Sequence, residues 1–244
     1  MIETRQLRLA GHPDIPPADL RLVNGTVYGI FDSGDGAASA LLAALAGAEL
    51  PLSGSVRVGG LDTVTEAVAV RRGVGYATSD AAFYGRMTVW ELMEFLSELR
   101  GEEGSRAARD IHAVLDELEL DELRGAMLCR LDADRRRRVA LAQALIGNPG
   151  TLFLDRPTAG LKPTDAAALR EDIRRLSEGK TVFLASDSAR EAAQLCGRFL
   201  FVDSCGITAP LAAEELEAQP RTPALAAFLG LLEQAEAGEE DAER

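Results

Sequence analysis

The sequence is poor in the residues that build disulfide frameworks, zinc sites and base-stacking surfaces. Its 244 residues include three cysteines, two histidines and one tryptophan, and only 5% are aromatic. The cysteines Cys129, Cys196 and Cys205 form no CxxC pair, which indicates a reduced cytosolic chain rather than a disulfide framework or a zinc site. The shortage of aromatic residues argues against a surface that stacks nucleic-acid bases.

The chain also has little positive charge. It contains 26 Lys and Arg against 39 Asp and Glu, which gives a formal net charge of -13. A domain this acidic repels a phosphate backbone, so we expect no nucleic-acid partner. The single basic run, Arg135 to Arg138, follows Asp132 and Asp134, and we interpret it as part of a helix rather than as a patch for nucleic acid or lipid headgroups.

Long apolar runs are absent as well. No stretch approaches 18 consecutive strongly apolar residues, and the mixed charges of residues 1–5 are followed by no apolar segment. We therefore expect a cytoplasmic protein without a targeting signal, which meets the inner face of the cell membrane only as a peripheral protein.

What the sequence does contain is an alternation of β-type and helical segments. Strands are predicted at residues 3–9, 20–23, 26–31, 54–58, 151–155, 181–186 and 199–203. Helices are predicted at residues 39–46, 134–146, 163–177, 188–196 and 223–237, with two more between residues 87 and 133. This order predicts a mainly parallel sheet covered on both faces, interrupted by an all-helical insertion.

The same pattern divides the chain into four parts. The expected parts are an α/β core (1–86 and 148–210), a helical subdomain (87–147), a C-terminal helical extension (211–237) and an acidic, frayed tail (238–244).

Three stretches carry a resemblance to a known family: Leu152 to Asp155, Pro157 to Leu161, and Arg138 to Pro149. Together with the helical insertion, their order and spacing make residues 2 to 232 resemble the ATP-binding subunit of an ABC transporter, of the single-domain type found in drug, lipid or polysaccharide exporters. The resemblance implies a P-loop NTPase-like α/β fold with an N-terminal antiparallel portion.

The resemblance places the phosphate loop just after the strand at 26–31. In the pattern GxxxxGK[ST], backbone N–H groups and a Lys hold the phosphates, and the Ser or Thr binds Mg²⁺. Here Asp32 and Ala37 replace the two glycines, Ala38 replaces the Lys, and Ser39 is retained. We interpret the segment as a surface turn, the alternative being an atypical phosphate loop. The vestigial loop consists of Asp32, Ser33, Gly34, Asp35, Gly36, Ala37, Ala38, Ser39 and Ala40.

The resemblance also assigns Asp155 to the Walker B carboxylate and Arg156 to the position of the Glu that activates water. A guanidinium has no acceptor, so Arg156 cannot be that base. Asp155 has two interpretations: it binds Mg²⁺ weakly with Ser39, or it is a structural carboxylate that is hydrogen-bonded to Ser39 and Arg156. We favour the second.

The other positions that are functional in the family also carry different residues here. Ser79 stands for the Q-loop Gln, Lys162 for the D-loop Asp and Asp187 for the switch His, while the signature LSGGQ reads Leu131, Asp132, Ala133, Asp134 and Arg135. We expect Arg156 to pair with Asp187 or with an aspartate of the phosphate loop, and so to close the pocket.

These changes predict a catalytically degenerate subunit with no cofactor and with little or no ATP binding or hydrolysis. It would act as a scaffold or regulatory subunit that docks on a polytopic membrane protein, a transporter permease, near residues 79–89. Two alternatives remain open: an active subunit that binds Mg-ATP at an atypical site and energises an exporter, or the inactive half of a heterodimer with an intact ATPase. A homodimer also remains open.

Overall fold

The computed structural model describes residues 1–81, 83, 86–102 and 104–242, and side chains as far as residue 234. Strands and helices alternate along most of the chain. In chain order they are β1 (Ile2–Arg8), β2 (Arg21–Leu22), β3 (Val27–Phe31), α1 (Ala37–Ala46), β4 (Ser53–Val58), β5 (Leu61–Asp62), α2 (Ala67–Gly73), β6 (Val74–Thr78), α3 (Val89–Arg100), α4 (Gly104–Glu117), α5 (Ala133–Leu145), β7 (Thr151–Asp155), α6 (Pro163–Leu176), β8 (Thr181–Ala185), α7 (Ala189–Leu195), β9 (Arg198–Asp203), β10 (Gly206–Ile207) and α8 (Pro223–Ala242). Short 3-10 helices lie at Asp121–Leu123, Leu128–Arg130 and Ala213–Glu215.

The strands form two sheets. An antiparallel sheet has the order β2-β1-β4-β5, and a six-stranded sheet has the order β10-β9-β3-β8-β7-β6. In the larger sheet β9, β3, β8, β7 and β6 are parallel, and β10 pairs antiparallel with β9. The predicted fold class is confirmed: a mainly parallel sheet with an N-terminal antiparallel portion and an inserted set of helices.

Three neighbouring parallel strands place the candidate site. β3 ends at Phe31, β7 at Asp155 and β8 at Ala185, and Ala185 is the register partner of both Ile30 and Asp155. The carboxyl ends of parallel strands meet at one edge of the sheet, where ligands bind in open α/β folds. The loops that follow these three strands therefore lie side by side.

Helix α1 is covered by both sheets. It contacts β4 of the antiparallel sheet and β3, β7, β8 and β9 of the parallel one. A helix that is apolar on nearly every side is a buried helix, which explains its run of Ala and Leu. Leu41, Leu42 and Leu45 are fully buried in the same core as the stacked rings of Phe153 and Phe183.

The inserted helices α3, α4 and α5 share a second core with β6, β7 and β8. The predicted capping box is confirmed, since Thr88 N donates to Glu91 Oε2 at 2.8 Å and Glu91 N donates to Thr88 Oγ1 at 3.2 Å. At Gly75 a Cβ would lie 2.0 Å from Ala144 O, so only glycine lets β6 approach α5 this closely.

Two elements depart from the prediction. Helix α2 was not predicted because its residues include β-branched Val68 and Val70, and only Val70 is buried. Helix α8 continues to Ala242, so the helix end predicted at residue 237 is too early; residues 243 and 244 lie outside the described part. No described helix has the length and apolar character needed to cross a membrane. The four-part division of the chain stays a prediction.

Candidate functional site

The loop between β3 and α1 is closed by its own carboxylates. Asp32 accepts two backbone hydrogen bonds, from Gly34 N to Oδ1 at 2.7 Å and from Ala38 N to Oδ2 at 2.9 Å. Ala37 N donates to Asp35 Oδ1 at 3.2 Å. Ala37 and Ala38 are the first two residues of α1, where backbone N–H groups have no partner within the helix. The aspartates therefore occupy donors that face outward from the helix N-terminus.

Gly36 makes this turn possible. It is the N-cap of α1 with φ +84°, in the left-handed region that glycine adopts without steric cost. It provides no side-chain cap, so the helix N-terminus depends on Asp32 and Asp35 instead.

Ser39 and Asp155 join the first turn of α1 to the end of β7. Ser39 Oγ donates to Asp155 Oδ1 at 2.6 Å, and Asp155 is only 6% exposed. A hydroxyl and a carboxylate held together in this way are the oxygen ligands that Mg²⁺ takes in P-loop proteins. The structure thus brings together the two residues that the sequence analysis named as metal ligands in the alternative in which Mg²⁺ binds.

Arg156 follows Asp155 in a left-handed conformation with φ +46°. For a residue other than glycine this conformation costs about 1–2 kcal/mol. Arg156 N donates to Ala185 O at 2.8 Å, which ties the start of this loop to the end of β8. The strained residue stands where the family has its general base.

The guanidinium of Arg156 lies between two carboxylates. Its Nη1 is 3.9 Å from Asp187 Oδ2, and its Nε is 3.6 Å from Asp155 Oδ1. The expected pairing with Asp187 is confirmed, but the distance to Asp155 is that of an ion pair rather than a hydrogen bond, and Nε is buried without a hydrogen-bond partner. The expected hydrogen bond between Asp155 and Ser39 is present, whereas the expected hydrogen bond between Asp155 and Arg156 is replaced by this longer ion pair.

The pairing does not close the pocket. A cavity of about 340 Å³ remains between the loop after β3, the loops after β7 and β8, and one side of α8. The predicted closure is therefore wrong, because the short Asp187 side chain meets only one edge of the guanidinium. Lining residues include Asp32, Gly34, Ser39, Arg156, Asp187, Phe228 and Leu231. The wall formed by α8 was not predicted, because the apolar residues of this helix indicated only that it packs on the core.

The signature position begins α5, away from this cavity. Asp132 is the N-cap of α5, where its Oδ1 accepts from Arg135 N at 2.9 Å. Ala133 belongs to a smaller cavity that also contains Ser79 and Arg137. Leu131 is buried, and Asp134 pairs with Arg138 at 3.4 Å. An aspartate thus occupies the N-terminus of this helix as well.

All four arginines of the basic run are held by contacts within the chain. Arg135 pairs with Asp132 at 3.4 Å, and Arg138 pairs with Asp172 at 2.5 Å. Arg136 donates to Leu131 O, and Arg137 donates to Arg156 O at 3.1 Å and to Ala159 O at 2.9 Å. Burial lowers the pKa of Arg137 from its ordinary value. The run is helical, as interpreted from the sequence.

The remaining family positions are separate from the cavity. Ser79 N donates to Asp155 O at 3.0 Å, so Ser79 lies directly beyond the paired ends of β6 and β7. Lys162 is exposed and precedes α6, whose first residue is Pro163.

Sequence reasoning missed a buried carboxylate behind the site. Glu191 is 1% exposed; its Oε1 accepts from Thr158 Oγ1 at 2.6 Å, and its Oε2 accepts from Ser186 Oγ. Thr158 follows β7, and Ser186 follows β8. The signal for it in the sequence is a Glu in the first turn of α7, the helix that follows the buried strand β8.

Tyr76, in β6, lies near Asp155. Burial, assisted by the negative charges of Asp155 and Glu49, raises the pKa of Tyr76 to about 12. Its phenol is therefore neutral across the physiological range.

The strand–loop–helix unit, with Ser39 at the start of the helix and Asp155 at the end of a neighbouring strand, is that of a P-loop nucleotide-binding domain. The family model described as "ABC transporter" matches residues 17–159. The chain belongs to this family, as a nucleotide-binding domain.

Relatives and solved structures agree with this assignment. The daunorubicin resistance ATP-binding protein DrrA3 of Streptomyces coeruleorubidus is 32% identical over 82% of this chain and 64% of its own length. The sulfate/thiosulfate import ATP-binding protein CysA of Caulobacter vibrioides is 28% identical over 94% of this chain and 69% of its own length. The chain thus spans about two thirds of these relatives, and slightly less of the first.

Two solved structures share the fold at low identity. One is described as an ATP-binding subunit of an ABC transporter, with TM-score 0.77, 17% identity and coverage of 95% of this chain and 99% of the other. The second is CbiO1 from Clostridium perfringens, described as part of the ABC transporter complex CbiONQ, with TM-score 0.74, 18% identity and coverage of 89% and 90%.

The family assignment corrects one prediction. The expectation that the protein has no cofactor is wrong, because the chain belongs to a family whose matching relatives are named as ATP-binding proteins. The structure agrees in part: the Ser39–Asp155 pair fits Mg²⁺, and the backbone N–H groups at the N-terminus of α1 are donors of the kind that bind phosphate, although Asp32 and Asp35 accept from them here. The absence of a cofactor was predicted because Ala38 replaces the Lys of the phosphate loop.

Proposed function

We propose that this chain is an ABC transporter ATP-binding subunit that binds Mg-ATP but hydrolyses it slowly or not at all. In this role it is a regulatory or scaffold subunit that docks on a membrane transporter component from the cytoplasmic side. The observation that carries the proposal is Arg156, a cation at the position of the general base, held 3.6 Å from Asp155 and 3.9 Å from Asp187.

The residues that would hold Mg-ATP are those at the N-terminus of α1 and the end of β7. Ser39 Oγ and Asp155 Oδ1 would hold the metal, which offsets phosphate charge when bound. The backbone N–H groups of Ala37 and Ala38 point to where a phosphate binds at a helix N-terminus.

Hydrolysis would additionally require a group that takes a proton from water. A guanidinium stays protonated and offers no acceptor, and general-base assistance is worth about 10²–10⁴-fold in rate. Asp155 accepts from Ser39 Oγ, and Asp187 belongs to the loop after β8 and lies 3.9 Å from the Arg156 cation, so neither carboxylate stands at the position of the missing base. The contacts of Arg156, Asp155 and Asp187 therefore support slow hydrolysis by a subunit that still binds nucleotide.

A membrane partner is supported by the family and by one neighbour, CbiO1, which is described as part of a transporter complex. We propose that docking uses the surface near residues 79–89, between the sheet and the inserted helices; residues 82, 84 and 85 of this surface lie outside the described part. Phe83 and Trp90 are half-buried against the helical core there.

Phosphate release from Mg-ATP by the purified full chain tests the proposal. We expect wild-type release equal to that of Asp155→Asn, the control that removes the metal-binding carboxylate. Arg156→Glu supplies a carboxylate at the same backbone position and is expected to raise release. Wild-type release well above that of Asp155→Asn would overturn the proposal in favour of the active subunit.

A further inference from the structure

We infer that the carboxylate of Asp32 is an intramolecular ligand of the phosphate loop, so that it competes with the phosphates of Mg-ATP and sets the nucleotide affinity. This inference rests on the proposed nucleotide site and deepens it, because it names a built-in inhibitor of that site.

The geometry shows a carboxylate that spans the loop. One oxygen of Asp32 accepts a hydrogen bond from Gly34 N at 2.7 Å, and the other accepts one from Ala38 N, six residues along the chain, at 2.9 Å. Asp32 is half-buried and lines the cavity together with Ser39 and Arg156. An anion is thus already seated on the donors that a phosphate needs.

Asp35 differs from Asp32 in a useful way. It is exposed and accepts a single bond, from Ala37 N at 3.2 Å, two residues away. It carries the same charge in the same loop, but it does not reach across to Ala38. Asp35→Asn removes this charge but keeps an oxygen acceptor for Ala37 N, so it tests general repulsion of an anionic ligand without freeing a donor.

The Asp32 carboxylate competes with nucleotide phosphates because it is part of the same chain as the donors that both would use. A carboxylate tethered beside its donors rebinds far faster than a free ligand arrives, so nucleotide must displace it at a cost. A hydrogen bond to a charged group has a strength that corresponds to a factor of about 10–100 in affinity. A substitution that frees Ala38 N should therefore increase the affinity for Mg-ATP by a factor of this size at most.

Calorimetric titration with Mg-ATP compares the wild type with Asp32→Asn, Asp32→Ala and the control Asp35→Asn. We expect Asp32→Ala to bind at least about 10-fold more tightly than the wild type, with Asp32→Asn in between because its amide keeps one acceptor. Asp35→Asn should change the affinity less than about 3-fold, which is the screened effect of one exposed charge.

Two outcomes would overturn the inference. One is no tighter binding in either Asp32 variant, with both variants shown to be folded by a cooperative urea transition. The other is an equal gain in Asp35→Asn, which would assign the effect to charge alone. Mg-ATP binding by the wild type or by the variants tests the nucleotide site of the proposed function, phosphate release tests its slow turnover, and the change in affinity from wild type to Asp32 variants tests this inference. Binding that is measurable but unchanged in the Asp32 variants contradicts the inference alone, and no binding in any of these proteins contradicts the nucleotide site itself.

Discussion

Ser39 Oγ donates to Asp155 Oδ1 at 2.6 Å, and this hydrogen bond joins the central helix α1 to the end of β7. Asp155 is buried, so Ser39→Ala leaves a carboxylate without its closest donor, and we expect the free energy of unfolding to fall by about 1–3 kcal/mol. Urea denaturation measures the change. Ser33→Ala, in the exposed part of the preceding loop, is the matched control and should stay within about 0.5 kcal/mol. Equal effects of the two variants would contradict the structural role of this bond.

Replacing Ala38 with lysine separates binding from hydrolysis. We expect Ala38→Lys to tighten Mg-ATP binding by about 10- to 100-fold, because a charged donor is added to the loop. Phosphate release should not rise, since Arg156 still stands at the position of the base. Ala38→Met controls for the added volume in the cavity. Turnover restored by lysine alone would mean that the role given to Arg156 is wrong.

Helix α8 packs on the core through Ala224, Leu225 and Phe228, of which Phe228 is the largest. Phe228 is fully buried, with ring centroids 4.6 Å from Phe31 and 5.4 Å from Phe201. We expect Phe228→Ala to lower the free energy of unfolding by about 3–5 kcal/mol. Leu231→Ala, one turn further on and 44% exposed, should change it much less. Similar losses in both, measured by thermal or urea unfolding, would show that α8 packs differently.

Tyr76 predicts a stability loss at high pH. Its pKa is raised from 10.0 to about 12 in the folded chain, so the folded state holds this proton more tightly than the unfolded state. The resulting stabilisation is complete below pH 10 and disappears as the pH rises from about 10 to about 12. Urea midpoints across that range should fall more steeply for the wild type than for Tyr76→Phe. Parallel curves would contradict the burial of this phenol.

Much of this fold can be predicted from the sequence because its main elements are buried on most sides. The runs at 151–155 and 181–186 are almost wholly apolar, and the capping box at Thr88 and Glu91 marks the start of α3. Helix α2 was missed because it buries a single residue and so has no apolar stripe.

The candidate site was only partly predictable. The register of β3, β8 and β7 brings Asp32, Arg156 and Asp187 to one edge, and the family pattern anticipated that grouping. The bonds from Gly34 and Ala38 to Asp32 depend on the backbone path of a glycine-rich turn, which residue types alone do not specify. The α8 wall of the cavity depends on packing between distant parts of the chain, and the cofactor prediction was wrong because it weighed missing side chains above the retained backbone.

Glu191 connects two loops that are far apart in sequence. Thr158 and Ser186 donate to opposite oxygens of the same carboxylate, and Arg156 and Asp187 are their near neighbours in the chain. A shift of either loop would lengthen a buried bond, so the two loops keep a fixed spacing. The distance between Arg156 and Asp187 therefore depends on Glu191, whose side chain does not line the cavity. Residues that face the cavity can therefore be exchanged one at a time without disturbing the buried hydrogen bonds that fix the spacing of these loops.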